Sequence, residues 1–199
     1  MDRHIPLVIS EGEPFARGQH LGSSQKERVL HTVKAYLQMF EHFAGLGRAA
    51  VYEQAERFLP AIQEVAPHLL EEMRGIAEGA ECDMREIIAI NARTELMYGV
   101  THQHECTSIA VSAPASADGH LRVAQNWDWH PSLVGTLVLW LIKTSNGSDL
   151  LTLTEAGIVG KIGVNDAGLA MCINLLRSDS DSGGPAAPMH IILRRVLEE

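Results

Sequence analysis

The chain has 199 residues, 46% apolar and 21% charged, and carries 16 Lys and Arg against 25 Asp and Glu, a formal charge of −9 at pH 7. Such a composition is ordinary for a globular fold and excludes disordered and fibrous classes. The acidic excess repels phosphate backbones and anionic lipid surfaces, so neither nucleic acid nor a membrane is expected as a partner.

In chain order, the apolar residues from Pro14 to Tyr98 recur at three and four. Val29, Val33, Leu37 and Phe40 form one stripe of an amphipathic helix. A second helical block is predicted from Arg48 through Ala80, interrupted at Pro60 and Pro67, where the amide hydrogen is missing. Asp83 followed by Glu86 reads as a capping box that opens a helix from Met84 to Met97. After His104 the period becomes alternating, with Thr107, Ile109 and Val111 facing one way and Ser108, Ala110 and Ser112 the other. Ala117-Asp118-Gly119 turns the chain into a strand over Leu121 to Trp129. Strands over Leu137–Lys143 and Leu150–Thr154 flank an Asn146-Gly147 turn, a strong hairpin signal. Strands over Ile158–Val164 and Leu169–Leu175 flank Asn165-Asp166-Ala167-Gly168. Gly183-Gly184-Pro185 then breaks the chain before a helix beginning near Pro188. The order of helices, hairpin-linked antiparallel strands and a final helix predicts an α+β layered protein.

Three cysteines, Cys82, Cys106 and Cys172, are too few and too odd for a disulfide framework, which points to a reducing compartment. The first fifteen residues include Asp2, Glu11 and Glu13 and lack the apolar core of a signal peptide. The longest apolar stretch, Leu133 to Ile142, is too short to span a bilayer. A cytoplasmic location is therefore expected.

Cys106 lies at the junction of the two halves, within His102-Gln103-His104-Glu105-Cys106-Thr107-Ser108. In one reading, His102, His104 and Cys106 line one face of a strand as metal ligands, with a fourth from His130 or His120. In another, Cys106 is a small buried residue opening a core strand. In the third it is a nucleophile, which needs a base because a free thiol of pKa about 8.5 is mostly protonated at neutral pH. A cut before Cys106 would expose an α-amino group of pKa about 7.7–8.0 within reach of its own sulfur.

Five collinear motifs favour this last reading. Gly12-Glu13-Pro14-Phe15 with Gly18 and His20-Leu21-Gly22, Arg74-Gly75-Ile76-Ala77-Glu78-Gly79-Ala80, and Asn91-Ala92-Arg93-Thr94-Glu95 precede Cys106-Thr107-Ser108. Gln125-Asn126-Trp127-Asp128 and Thr154-Glu155-Ala156-Gly157-Ile158-Val159-Gly160-Lys161-Ile162-Gly163-Val164-Asn165 follow it. From about residue 10 to the end, the chain resembles the acyl-coenzyme A:6-aminopenicillanic acid acyltransferase family, self-cleaving cysteine enzymes of the N-terminal nucleophile hydrolase superfamily.

The resemblance implies αββα layers, incomplete here, and a precursor cut between Glu105 and Cys106. Residues 1–105 would form a small helical subunit that stays bound to 106–199, the first part of the sheet core. Cys106 would be the nucleophile. Asp128 would hold its α-amino group, and Asn174, in Cys172-Ile173-Asn174, would donate toward an oxyanion, a contact of roughly 3 kcal/mol. Family members commonly carry glycine before the cysteine. Glu105 stands here, and its larger charged side chain would slow the strained rearrangement. The implied substrates are a small acyl donor, with a coenzyme A thioester among the candidates, and an amine or water as acceptor; no cofactor is implied. Measured against the family, the chain is short at its C-terminal end, and its helical pattern stops at Glu199. The expectation is the first part of a longer enzyme, lacking the family's main oxyanion asparagine.

Overall fold

The computed structural model describes residues 4–97, 106–144, 147–176, 178 and 186–199. Its first half is mostly helical: β1 (Leu7–Glu11), α1 (Pro14–Ser24), α2 (Lys26–Ala44), α3 (Arg48–Val65), α4 (Pro67–Ala80), α5 (Met84–Asn91) and α6 (Arg93–Leu96). Three of the four stripe residues of α2, Val29, Val33 and Phe40, are buried in the core beside Tyr36 and Met39, while Leu37 is half-buried against it. Gly45, in the left-handed region at φ 66°, ends the helix.

Local signals were less decisive elsewhere. Pro67 starts α4, where its missing N–H is no loss. Pro60, however, lies inside α3 without breaking it. It is exposed, and so is Glu56, whose carbonyl loses its partner, so water can take the lost bond. Asp83 does cap α5, accepting from the Arg85 amide at 2.8 Å. Glu86 does not close the capping box. Its carboxylate is buried and instead accepts from Arg48 and from the Tyr52 hydroxyl, both on α3. The predicted helix from Met84 to Met97 is split at Ala92. There the Asn91 side chain donates to the Gly157 carbonyl and accepts from the Val159 amide, both at 2.9 Å.

Helices α1 and α4 approach until their backbones touch. A Cβ on Gly18 would stand 1.9 Å from the Glu72 carbonyl oxygen, and one on Gly75 would stand 2.1 Å from that of Phe15. The contact is possible only because neither residue has a side chain.

The second half contributes β2 (Thr107–Val111), β3 (Arg122–Asn126), β4 (Leu137–Lys143), β5 (Leu150–Glu155), β6 (Ile162–Asn165), β7 (Ala170–Met171) and α7 (Met189–Glu198). Three strands are shorter than their alternation predicts. Leu121–Trp129 contracts to β3, and Leu169–Leu175 contracts to β7. The stretch 158–161 is irregular chain after a turn at 156–157 rather than strand, since Gly157 sits at φ 102° and Asn91 clamps both sides of it. Asn146 of the hairpin and the Gly183-Gly184-Pro185 break lie outside the described residues.

The main sheet has the order β1-β4-β5-β6-β7, while β2 and β3 pair separately. It is mixed rather than antiparallel, because β1, a strand absent from the sequence reading, pairs parallel to β4. Its inner face, including Val8, Val138, Trp140, Ile142 and Leu150, packs on the helices. Its outer face is also apolar: Leu7, Ile9, Leu139, Leu141, Leu151, Leu153, Ile162 and Val164 are in register across four strands. Leu7, Ile9 and Val164 on that face are exposed.

Helix α7 is fastened by a fully buried ion pair. Arg194 donates to Glu72 of α4 at 2.8 and 3.1 Å, and Arg17 of α1 donates to the same carboxylate at 3.0 Å. Among the described residues no helix is long and apolar enough to cross a membrane.

Candidate active site

Cys106, Asp128 and Asn174, widely separated in sequence, line one cavity of about 310 Å³. Cys106 immediately precedes β2, Asp128 follows β3, and Asn174 follows β7. The hairpin and the β7 extension are tied by side chains. Asn174 donates from Nδ2 to the Cys106 carbonyl at 2.7 Å and accepts from the Ser108 hydroxyl at 2.6 Å. Gln125 donates to the Ile173 carbonyl and accepts from the Ile173 amide at 3.0 Å. Asn174 thus orients the main chain of Cys106.

One wall of the cavity is polar and buried. Lys161 donates to Glu155 at 2.7 Å, and Tyr36 donates its hydroxyl hydrogen to the other Glu155 oxygen at 2.8 Å. The Trp129 indole N–H donates to the Tyr36 oxygen at 2.9 Å. The Lys161 ammonium also lies 3.5 Å from the ring centre of Trp127, a cation–π contact. Arg93 stacks over Trp129 and Tyr36 at 4.5 and 5.5 Å. His190 shares a hydrogen bond of 2.7 Å with the Gly160 carbonyl through Nδ1. A carbonyl only accepts, so Nδ1 carries the hydrogen and Nε2 is left as an acceptor.

Residues 116–199 match the family model described as acyl-coenzyme A:6-aminopenicillanic acid acyl-transferase. Over 192 residues the chain is 30% identical to the acyl-coenzyme A:6-aminopenicillanic-acid-acyltransferase 40 kDa form of Emericella nidulans, covering 96% of this chain and 52% of that one. Over residues 116–199 the chain is similar to this family. It spans about half the length of the curated relative it matches.

The electrostatics of the polar wall follow from burial. Burial alone would raise the Glu155 carboxyl, but Lys161 and Arg93 beside it hold it down at about 2. Burial pushes the Lys161 ammonium down to about 7 against the opposing pull of Glu155, and Arg93 adds to the fall. The ion pair is therefore formed, with the Lys161 proton the more easily lost. Burial, with Arg93 and Lys161 nearby, keeps His190 well below the usual imidazole range and so neutral. Tyr36 is held well above the usual phenol range, mainly by burial.

The other thiols differ from Cys106. Burial and the nearby Glu86 and Asp83 push Cys82 up to about 12, which leaves it protonated and inert. Cys172 lies in a separate groove between β3 and the main sheet.

Glu105, His102 and His104 lie outside the described residues. His130 accepts from the Ser132 amide, and His120 stands beside Asp118. Among the described residues no group of three His, Cys, Asp or Glu side chains is placed to hold a metal. Trp127 and Trp129 both line the Cys106 cavity, and Trp129 also packs against the core. The sequence reading did not single out Arg93, Lys161, Tyr36 or His190, and it assigned no role to Glu155. One signal was present: Glu155 and Lys161 flank a glycine-rich turn, where two opposite charges can meet.

Proposed function

We propose that this chain is the nucleophile-bearing part of a cysteine acyltransferase that works through a thioester on Cys106. The observation that carries the reading is the single cavity lined by Cys106, Asp128 and Asn174, with the Asn174 amide on the Cys106 carbonyl.

In processing, the Cys106 sulfur attacks the carbonyl carbon of Glu105, the acyl group shifts from nitrogen to sulfur, and the departing nitrogen takes a proton to become the new α-amino group. Water then hydrolyses the thioester, which frees the Glu105 carboxyl and the thiol. That amine is the base for the thiol, and Asp128 orients it and stabilises its protonated form. In turnover the thiol attacks the acyl donor and expels its leaving group. The acyl-enzyme then passes the acyl group to an amine, or to water as a hydrolase. Thiol–thioester exchange is nearly isoenergetic, which suits a donor such as a coenzyme A thioester.

Residues 1–105 would remain bound to 106–199 after the cut. Support comes from buried bonds joining the two parts: Glu72 with Arg194, Tyr36 with Glu155, and Asn91 with Gly157 and Val159. The apolar outer face of the sheet supports a layered αββα fold, since it calls for a further layer over it. The three free cysteines accord with a cytoplasmic setting.

The test is intact-mass measurement of the purified chain. Two fragments meeting at Glu105/Cys106, absent in Cys106→Ala, are expected. An uncut chain whose Cys106 does not react with a thioester refutes the reading.

A further inference from the structure

Four cations are buried among the described residues: Arg17, Arg93, Lys161 and Arg194. Three have a carboxylate in contact. Arg17 and Arg194 share Glu72, and Lys161 holds Glu155. Arg93 differs. It is 5% exposed, its Nε has no hydrogen-bond partner among the described residues, and no carboxylate of theirs stands within the 4.0 Å of an ion pair.

Of the nearby acids, Glu155 is held by Lys161 and Tyr36. Glu95 accepts from the Met189 amide through one oxygen at 2.7 Å; its buried Oε2 has no partner among the described residues, and burial raises its carboxyl toward the neutral form against the pull of Arg93. Asp128 is exposed at the cavity rim. The faces of Trp129 and Tyr36 give the guanidinium cation–π contacts. Such stacking is weaker than the cost of removing a guanidinium from water. Arg93 also lines the Cys106 cavity, as do Thr94, whose hydroxyl has no partner among the described residues, and His190, whose Nε2 has none.

We infer that Arg93 is an anion-binding residue of the Cys106 cavity, which holds a carboxylate of the acyl donor or acceptor against the Trp129 and Tyr36 rings. The guanidinium offers N–H donors in the fork that matches a carboxylate. The Thr94 hydroxyl supplies a further donor. His190 Nε2 supplies the opposite polarity and takes an N–H from the same ligand. The reaction that this binding serves rests on the Cys106 reading above; the binding itself does not.

The test is calorimetric titration of the 199-residue chain with phenylacetylglycine and with its neutral primary amide, phenylacetylglycinamide. The carboxylate is expected to bind roughly 10- to 100-fold more tightly, as a charge-assisted hydrogen bond supplies. Arg93→Gln is expected to bind both probes equally, and Arg93→Lys to keep part of the preference. Equal binding of both probes by the unmodified chain, binding of neither, or a preference that survives in Arg93→Gln overturns the inference. The comparison within the unmodified chain decides even where a variant fails to fold. Repeating it in Cys106→Ala separates the two readings. The uncut Cys106→Ala chain is expected to keep the carboxylate preference, whereas a preference in an unmodified chain that stays uncut sinks the nucleophile and leaves Arg93 standing. A missing preference in a chain that does cleave sinks Arg93 alone.

Discussion

Replacing Gly18 by alanine opposes two effects whose sizes differ. In an isolated helix the change is favourable by about 1 kcal/mol. Here the new Cβ would stand 1.9 Å from the Glu72 carbonyl oxygen, where ordinary contact begins at 3.4 Å, so the helices must separate by about 1.5 Å, the difference of the two. The obstacle is backbone and cannot rotate aside. Moving α1 away also stretches the 3.0 Å bond from Arg17 to the buried Glu72 carboxylate. Overpacking typically costs about 1–3 kcal/mol, and a hydrogen bond to a charged group contributes about 1.5–3 kcal/mol. After subtracting the propensity gain, Gly18→Ala is expected to lose about 1.5–5 kcal/mol. For a chain of this size that corresponds to a melting temperature lower by roughly 3–20 °C, read by circular dichroism. Gly47→Ser is the control, because Gly47 starts α3 with nothing within 4 Å of its Cβ position. It is expected to melt within about 2 °C of the parent or slightly above it. A Gly18→Ala variant as stable as the parent would refute the close contact of α1 and α4.

Glu72→Gln leaves Arg17 and Arg194 without their buried carboxylate and is expected to cost about 3–5 kcal/mol in urea denaturation; an unchanged midpoint would show that the network is not formed. His190 couples stability to pH. Its pKa is lowered in the folded state, where Arg93, Lys161 and Glu155 face it, so between that value and about 6.5 the unfolded chain binds more protons. Its contribution is complete above about pH 6.5 and falls by about 1.4 kcal/mol per pH unit below. Guanidinium titrations of the parent and of His190→Asn should diverge below that pH, and parallel curves would count against a neutral buried imidazole.

Features generated within one segment were legible in the sequence. The α2 stripe follows from its periodicity, and Asp83 caps α5 because a cap needs only the next two residues. The partner of Glu86 was not legible, since Arg48 and Tyr52 arrive from another helix. Nor was β1: five residues of Leu7–Glu11 become a strand by pairing with β4, more than a hundred residues away. The candidate site divides in the same manner. Cys106, Asp128 and Asn174 were named from motifs, while Arg93, Lys161 and His190 join them only through the fold.

The sequence by itself determined the class of the chain and its succession from helices to strands to a final helix, because periodicity, capping residues and turn residues act over a few positions. It also carried the family resemblance, through motifs that survive as strings. Only the tertiary structure decided which charges lost water and which found partners. Glu72 is an ordinary helix glutamate until three elements bury it between two arginines. Arg93 becomes a buried cation without a carboxylate in contact only when Trp129 and Tyr36 close over it. Desolvation is a property of the surroundings rather than of the residue, and the surroundings are assembled from distant parts of the chain.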